Sequence, residues 1–338
     1  MQYKDFVTNL AEDLQEEFEK RNRNVDVDII KVEKAWGTEL GIKVSESRNY
    51  GPVFYPKEQY ENFENGRDYF SMLEQLADFF ESTLADTPIH EDFDLTSLKD
   101  SITMRLVNSK RSHKYLKDKP HREFEDLSIV YQLNTVLKDN SKGCIVVTLD
   151  MMEKLGLDEE GIYQFAMEKA PVNSPYRLKP MSAVIGDLLD EDEVPSCPLM
   201  VLTNDEADYG ASVVVYPKVL EQCAVAMNGD FFVIPSSVHE CLLHPDNNLI
   251  NVAQLKSIVK EVNDTQLSQE ELLSYSVYHY DHEGKIFELA EKYEARMREK
   301  QSLMGKLEEK KNDVARESHL RRNQDIGCRR TQGGSLCL

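Results

Sequence analysis

The opening residues set a helical period. Phe6, Val7, Leu10, Ala11, Leu14 and Phe18 recur at steps of three and four, which predicts one apolar stripe on a helix from about residue 3 to 20. The period then drops to two. Val25-Asp26-Val27-Asp28-Ile29 and Leu40-Gly41-Ile42-Lys43-Val44 alternate on either side of a turn near Trp36-Gly37, which predicts a hairpin. Tyr69, Met72, Leu73, Leu76 and Phe80 return to helical spacing over residues 69–84. Thr96 is placed to cap a further helix that runs to Asn108.

The middle of the chain is β-branched and apolar. Residues 128–137 and 143–147 read as strands, followed by helices that start near Thr148 and Asp158, the second ending before Pro171. From Val172 to Pro198, prolines and the cluster Asp187, Asp190, Glu191, Asp192, Glu193 predict a long surface connection; the acids lack the alternation and central glycine of a calcium loop. Strands are expected at 199–202, 211–216 and 231–234, with a helix Lys218–Met227 opened by Pro217 and closed by Asn228-Gly229. A helix at 252–262 and a hairpin joining 276–280 to 286–289 follow. Hairpins mixed with single helices indicate α+β, with mixed or antiparallel sheets, rather than a doubly wound fold.

Charge then divides the chain. The 338 residues carry a net charge of −21, but residues 1–290 carry −25 and residues 291–338 carry +4. The expected organisation is an N-terminal helix, hairpin and helix region at 1–120, an α+β core at 121–290, and a charged helix with a disordered tail at 291–338. Hydrophobic residues at 41% are enough for a core and exclude wholesale disorder. The acidic body argues against a nucleic-acid footprint. In the tail a heptad frame places Lys300 and Lys311 on the seam and Gly305 between them, so a single helix fraying after about residue 318 is expected instead of a coiled coil.

The start Met1-Gln2-Tyr3-Lys4-Asp5-Phe6 has no apolar signal core, and no apolar run is long enough for a bilayer. Cys144, Cys197, Cys223, Cys241, Cys328 and Cys337 contain no CxxC pair, which suits free thiols in a reducing cytoplasm. The sequon Asn263-Asp264-Thr265 has no meaning in that compartment.

Several strings resemble a known family. Tyr209-Gly210-Ala211-Ser212-Val213, Tyr216-Pro217-Lys218-Val219-Leu220 and Asp230-Phe231-Phe232-Val233-Ile234-Pro235-Ser236-Ser237-Val238-His239-Glu240 are similar to the core of an uncharacterised bacterial family. It is a domain of unknown function common in Gram-positive gut bacteria. Phe54-Tyr55 and Ser276-Val277-Tyr278-His279-Tyr280-Asp281 fit the same order, so the resemblance covers about residues 1–290. It implies a cytosolic bacterial protein and no established activity.

The candidate chemistry is thin. His239-Glu240-Cys241-Leu242-Leu243-His244 invites comparison with HExxH zinc sites, but its histidines are five apart. That is about 140° around a helix, and opposite faces of a strand. A distorted helix brings such a pair together in HExxxH peptidases, yet Pro235 and Pro245 leave little room for one here. No metal is assigned there, nor to His279 and His282 across a hairpin turn. Ser236 or Ser237 with His239 could suggest nucleophilic catalysis, but no G-x-S-x-G elbow exists, and such serines commonly bond to local backbone. No phosphate-binding glycine loop occurs, so no cofactor is expected. The basic island Lys110-Arg111-Ser112-His113-Lys114-Tyr115-Leu116-Lys117 reads as a solvated loop between helix and strand, with contact to a phosphate backbone or an acidic partner as the alternative. The sequence therefore fits a non-enzymatic binding or regulatory protein whose partner is unspecified, a protein among the candidates. The alternative is a hydrolase, metal-assisted or not, using Ser237, His239 and Glu240, the first residues to test.

Overall fold

The stripe of α1 (Tyr3–Lys20) is buried along its length, from Phe6 to Phe18. Across from it lies the hairpin of β1 (Asp26–Lys34) and β2 (Gly37–Ser45), in a register that sets Val27 opposite Val44 and Ile29 opposite Ile42. The short β3 (Val53–Phe54) extends this antiparallel sheet. After α2 (Lys57–Glu64), α3 (Tyr69–Asp86) adds Met72, Leu73, Leu76, Ala77 and Phe80 to the same core. In this computed structural model the described residues are 1–46, 51–86, 95–136, 142–186, 198–247 and 249–330.

The next segment corrects the sequence. The expected helix from Thr96 to Asn108 is a 3₁₀ helix, Leu95–Ser101, followed by β4 (Ile102–Asn108). Ile102, Met104 and Leu106 alternate into the core while Thr103, Arg105 and Val107 face the other way, which a helix could not do. β4 pairs antiparallel with β6 (Leu127–Val136), whose other edge takes β5 (His121–Phe124) and β7 (Lys142–Val146). Thr148 caps α4 (Leu149–Lys154), and Asp158 caps α5 (Glu159–Asn173) through the Gly161 N–H at 2.7 Å. Pro171 does not end α5 but lies in its last turn, where the bond it removes is one of the final ones.

Six antiparallel strands form the second large sheet, in the order β13-β12-β10-β11-β9-β8. They are β8 (Tyr176–Pro180), β9 (Met200–Asn204), β10 (Phe231–Pro235), β11 (Cys241–Pro245), β12 (Tyr278–Asp281) and β13 (Ile286–Leu289). β8 and α6 (Met181–Gly186) occupy part of the stretch expected as a surface connection, because Leu178 opposes the buried Leu202. The acidic cluster 187–193 lies outside the described residues. Gly210–Val215 is a 3₁₀ helix, not a strand; its residues are buried, and fixed main-chain partners override β propensity there. α7 (Val219–Met227) starts one residue after the expected position, behind Lys218 in the left-handed region, and ends at Asn228.

The two sheets share one core with α5 and α7: Ile102, Met104, Ile129 and Tyr131 meet Leu202, Phe231, Val233 and Leu243. α8 (Val252–Gln266) covers the opposite side of the six-stranded sheet through Val252, Leu255 and Val259 on Phe232 and Val277. The architecture is α+β. α9 (Ala290–Arg330) continues past the expected fraying point as one helix about 60 Å long, and residues 331–338 lie outside the described ones. Leu303, Met304, Leu307 and Val314 are exposed on it. Among the described residues no helix is long and apolar enough to cross a membrane.

Candidate functional site

After β9 the chain must turn sharply into the buried 3₁₀ helix. It does so at Tyr209, which has φ 48° and ψ 27°. A bulky aromatic in this left-handed conformation costs energy and persists only where its surroundings fix it. They do. Asn204 Oδ1 accepts the Asp208 N–H at 3.1 Å, and Asn204 Nδ2 donates to Asp208 O at 2.7 Å and Ser174 Oγ at 2.9 Å. The Tyr209 N–H donates to His239 Nδ1 at 3.2 Å, and Ser212 Oγ donates to Tyr209 O at 3.0 Å. Gly210 follows because nothing larger fits. A Cβ there would meet Thr203 Oγ1 at 2.2 Å, His239 O at 2.5 Å and Asn204 N at 2.7 Å.

The loop between β10 and β11 builds the other wall of this corner. Ser237 is buried, and its Oγ accepts the His239 main-chain N–H at 3.0 Å. Ser236 Oγ donates to Glu240 Oε1 at 2.9 Å, while the Ala211 N–H donates to Val238 O at 3.2 Å. Thr203 Oγ1 donates to His239 O at 2.7 Å. His239 thus receives bonds at its carbonyl and its ring. Asp208 Oδ1 also lies 3.5 Å from His239 Nδ1, but a nitrogen that accepts the Tyr209 N–H has no proton to give that carboxylate. Ser237, His239 and Glu240 are therefore together, with Ser237 engaged by main chain and Glu240 by Ser236. His244 stands on β11 with Nδ1 2.7 Å from Pro245 O. Among the described residues no three His, Cys, Asp or Glu side chains are placed to hold a metal ion.

Tyr209 also borders a cleft. The Arg105 guanidinium lies 3.5 Å from the centre of its ring, donates to Gln132 Oε1, and reaches Cys144 Sγ at 2.8 Å. Gln132 Nε2 donates to Asn134 Oδ1 at 3.1 Å, and Asn134 Nδ2 donates to Thr103 Oγ1 at 3.2 Å. These residues share one face of the four-stranded sheet, since Thr103 opposes Gln132 and Asn134 opposes Cys144. Asn173, Asn204, Glu206 and Asp208 also line the cleft, whose volume is about 450 Å³. Burial holds the Tyr209 hydroxyl pKa above its usual value, against the opposing pull of Arg105. The arrangement offers fixed donors and acceptors at close spacing. That is chemistry for recognition by hydrogen bonds.

None of Thr103, Arg105, Gln132, Asn134 or Asn204 stands out in the sequence. The signal that marks them is weak: paired polar positions on strands whose other positions are core. The basic island is also not a solvated loop throughout. Tyr115 and Leu116 are buried in a 3₁₀ turn, and Arg111 donates to Leu272 O at 3.0 Å and Gln269 O at 2.6 Å. Ser112 Oγ donates to Ala35 O at 2.7 Å, tying the N-terminal hairpin to the body.

No curated protein and no solved structure is significantly similar to the chain. A family model does match, over residues 3–282, which takes in both strings that meet at Tyr209. The chain belongs to the family of unknown function DUF5688.

Proposed function

We propose that the protein is a non-enzymatic binding module and that the cleft beside Tyr209 takes a small polar ligand. One observation carries this reading. Thr103, Gln132 and Asn134, on adjacent strands, bond to one another along a cavity of about 450 Å³, so their remaining donors and acceptors are held before any ligand arrives. Asp208 on the lining favours a neutral or cationic group over an anion. Ser237, His239 and Glu240 act here as positioning residues that hold Tyr209. No observation favours the hydrolase. A cytoplasmic location is supported by Cys144, Cys223 and Cys241, which are free thiols. Burial pushes the Cys223 thiol up to about 12, so it stays protonated and unreactive.

The test is a thermal-shift screen of neutral and cationic polar metabolites on wild type and on Asn134→Leu. Compounds that raise the wild-type midpoint and leave the variant unmoved support the site. Shifts of equal size in both proteins, or none at all, overturn it. A hydrolase screen on wild type and His239→Ala addresses the alternative, which requires turnover that the variant loses while staying folded.

A further inference from the structure

A second cavity of about 830 Å³ lies on the N-terminal module, where β2 and α2 approach the body. Tyr3, Tyr55 and Tyr60 form its aromatic walls, and Glu39, Glu58, Glu61 and Glu270 stand around it, with Lys57 the one cation on its lining among the described residues and the Lys34 ammonium resting against the Tyr55 ring. We propose that this cavity binds an organic cation, an alkylammonium or guanidinium group, held between tyrosine rings and glutamates. The site is separate from the amide cleft and does not depend on the reading of that cleft.

Four observations support it. The rings are fixed: Tyr3 and Tyr60 pack edge to face at 5.3 Å, and Tyr60 donates its hydroxyl proton to Met1 O at 2.8 Å. Aromatic faces attract cations, and the chain itself uses one of these rings that way. Lys34 Nζ stands 3.7 Å from the centre of the Tyr55 ring. The carboxylates are not consumed by the fold either. Glu39 accepts the Trp36 indole N–H at 2.8 Å, whereas Glu58, Glu61 and Glu270 make no side-chain hydrogen bond or ion pair among the described residues. Finally, no three of these carboxylates converge as a metal site would require. Spread carboxylates around aromatic walls suit a cation larger than a metal ion, and one that carries more than one charge.

The ligand chemistry has two sources, a free polyamine or the basic side chains of a peptide. Trp36 is the only tryptophan in the chain, and its indole is bonded to a residue of this cavity, so its emission reports occupancy. Full-length protein is titrated with spermidine and, separately, with a capped tetralysine peptide. We expect saturable emission changes that weaken about tenfold in Glu58→Gln/Glu61→Gln. Loss of about threefold or more is expected in Tyr55→Leu, with both variants shown to be folded by circular dichroism. The tighter of the two probes identifies the source. Failure of both probes to saturate overturns the proposal. So does affinity that falls in the glutamine variant but not in Tyr55→Leu, because that is plain ionic attraction to a surface.

Discussion

The amide cleft and the tyrosine cavity use polar side chains in opposite ways. Thr103, Gln132 and Asn204 are buried, and each is already bonded to a neighbour. Leaving such a group unpaired would cost about 1–3 kcal/mol, so the fold itself requires the network. Glu58, Glu61 and Glu270 are exposed and, among the described residues, make no side-chain hydrogen bond or ion pair, which in water costs little. Binding at the proposed cleft would therefore be specific through geometry and, for a neutral ligand, nearly indifferent to salt. Binding at the proposed tyrosine cavity would work through charge on an aromatic frame and would weaken as ionic strength rises. If both proposals hold, stability and recognition are coupled at Tyr209 and uncoupled on the N-terminal module.

The sharpest way to break that contrast is Gly210→Ala. The new methyl meets main-chain atoms of His239 and Asn204 at 2.5 and 2.7 Å, and main chain in a buried corner cannot swing aside. A loss of about 3 kcal/mol is expected, and a fall of roughly 6–12 °C in the melting midpoint. The response of Trp36 to spermidine should survive at temperatures where the variant is folded. A midpoint within about 2 °C of wild type would show that the corner is plastic and that the cleft is not preorganised.

His239→Ala is the next step down. It removes the acceptor of the Tyr209 N–H and leaves the glycine packing in place. Chemical denaturation should show a loss of about 1–2 kcal/mol. Affinity for any ligand of the amide cleft should fall with it, while the salt dependence at the tyrosine cavity stays the same. An unchanged midpoint with unchanged cleft affinity would detach the Pro235–Glu240 string from the site.

How much of this was legible in the sequence depends on how local the cause is. The stripe from Phe6 to Phe18 and the hairpin of Val27, Ile29, Ile42 and Val44 follow from periodicity alone, because one face of each is buried. Ile102–Asn108 reads as helix in the sequence because Ile102 and Leu106 are also spaced four apart, a helical step that becomes a strand only beside β6. Val213-Val214-Val215 has strand propensity but is held in a 3₁₀ turn by Tyr209, Val238 and neighbours. The motif strings were visible as strings, and their joint role was not. His239 meets Tyr209 across thirty positions of chain, and the cleft draws polar residues from five separate segments.

A smaller effect is expected at the other end of the chain. α9 beyond Lys300 is exposed on every described side chain, including Leu303, Met304 and Leu307, so it adds little burial to the body. Truncation after Lys300 should move the melting midpoint by only a few degrees, about 1 kcal/mol or less. Trypsin should cut first at Lys306, Lys310 and Lys311 on the exposed helix. A drop above about 10 °C would mean that the outer half of α9 is covered by the body or by a second copy.

The smallest effect is one of pH, and it separates a single surface contact from both cavities. His282 Nδ1 donates to Asp230 Oδ1 at 2.7 Å, and the His282 main-chain N–H donates to the same oxygen at 2.9 Å. The hydrogen bond to Asp230, with lesser help from Glu283 and Asp281, raises the histidine pKa above its ordinary 6.5. A raised folded-state value means that the contact stabilises fully below about pH 6.5. The contribution is lost as pH rises through the folded value. The lowered carboxylates Glu160, Asp264, Glu271 and Asp281 change only near and below their ordinary values of 3.8 to 4.5, so they are silent in this window. The histidine side chain is exposed, and screening keeps the effect slight. Melting midpoints of wild type and His282→Asn should therefore differ more at pH 6 than at pH 8, by a degree or less. A gap that widens towards pH 8 would reverse the sign and remove Asp230 as the partner that matters.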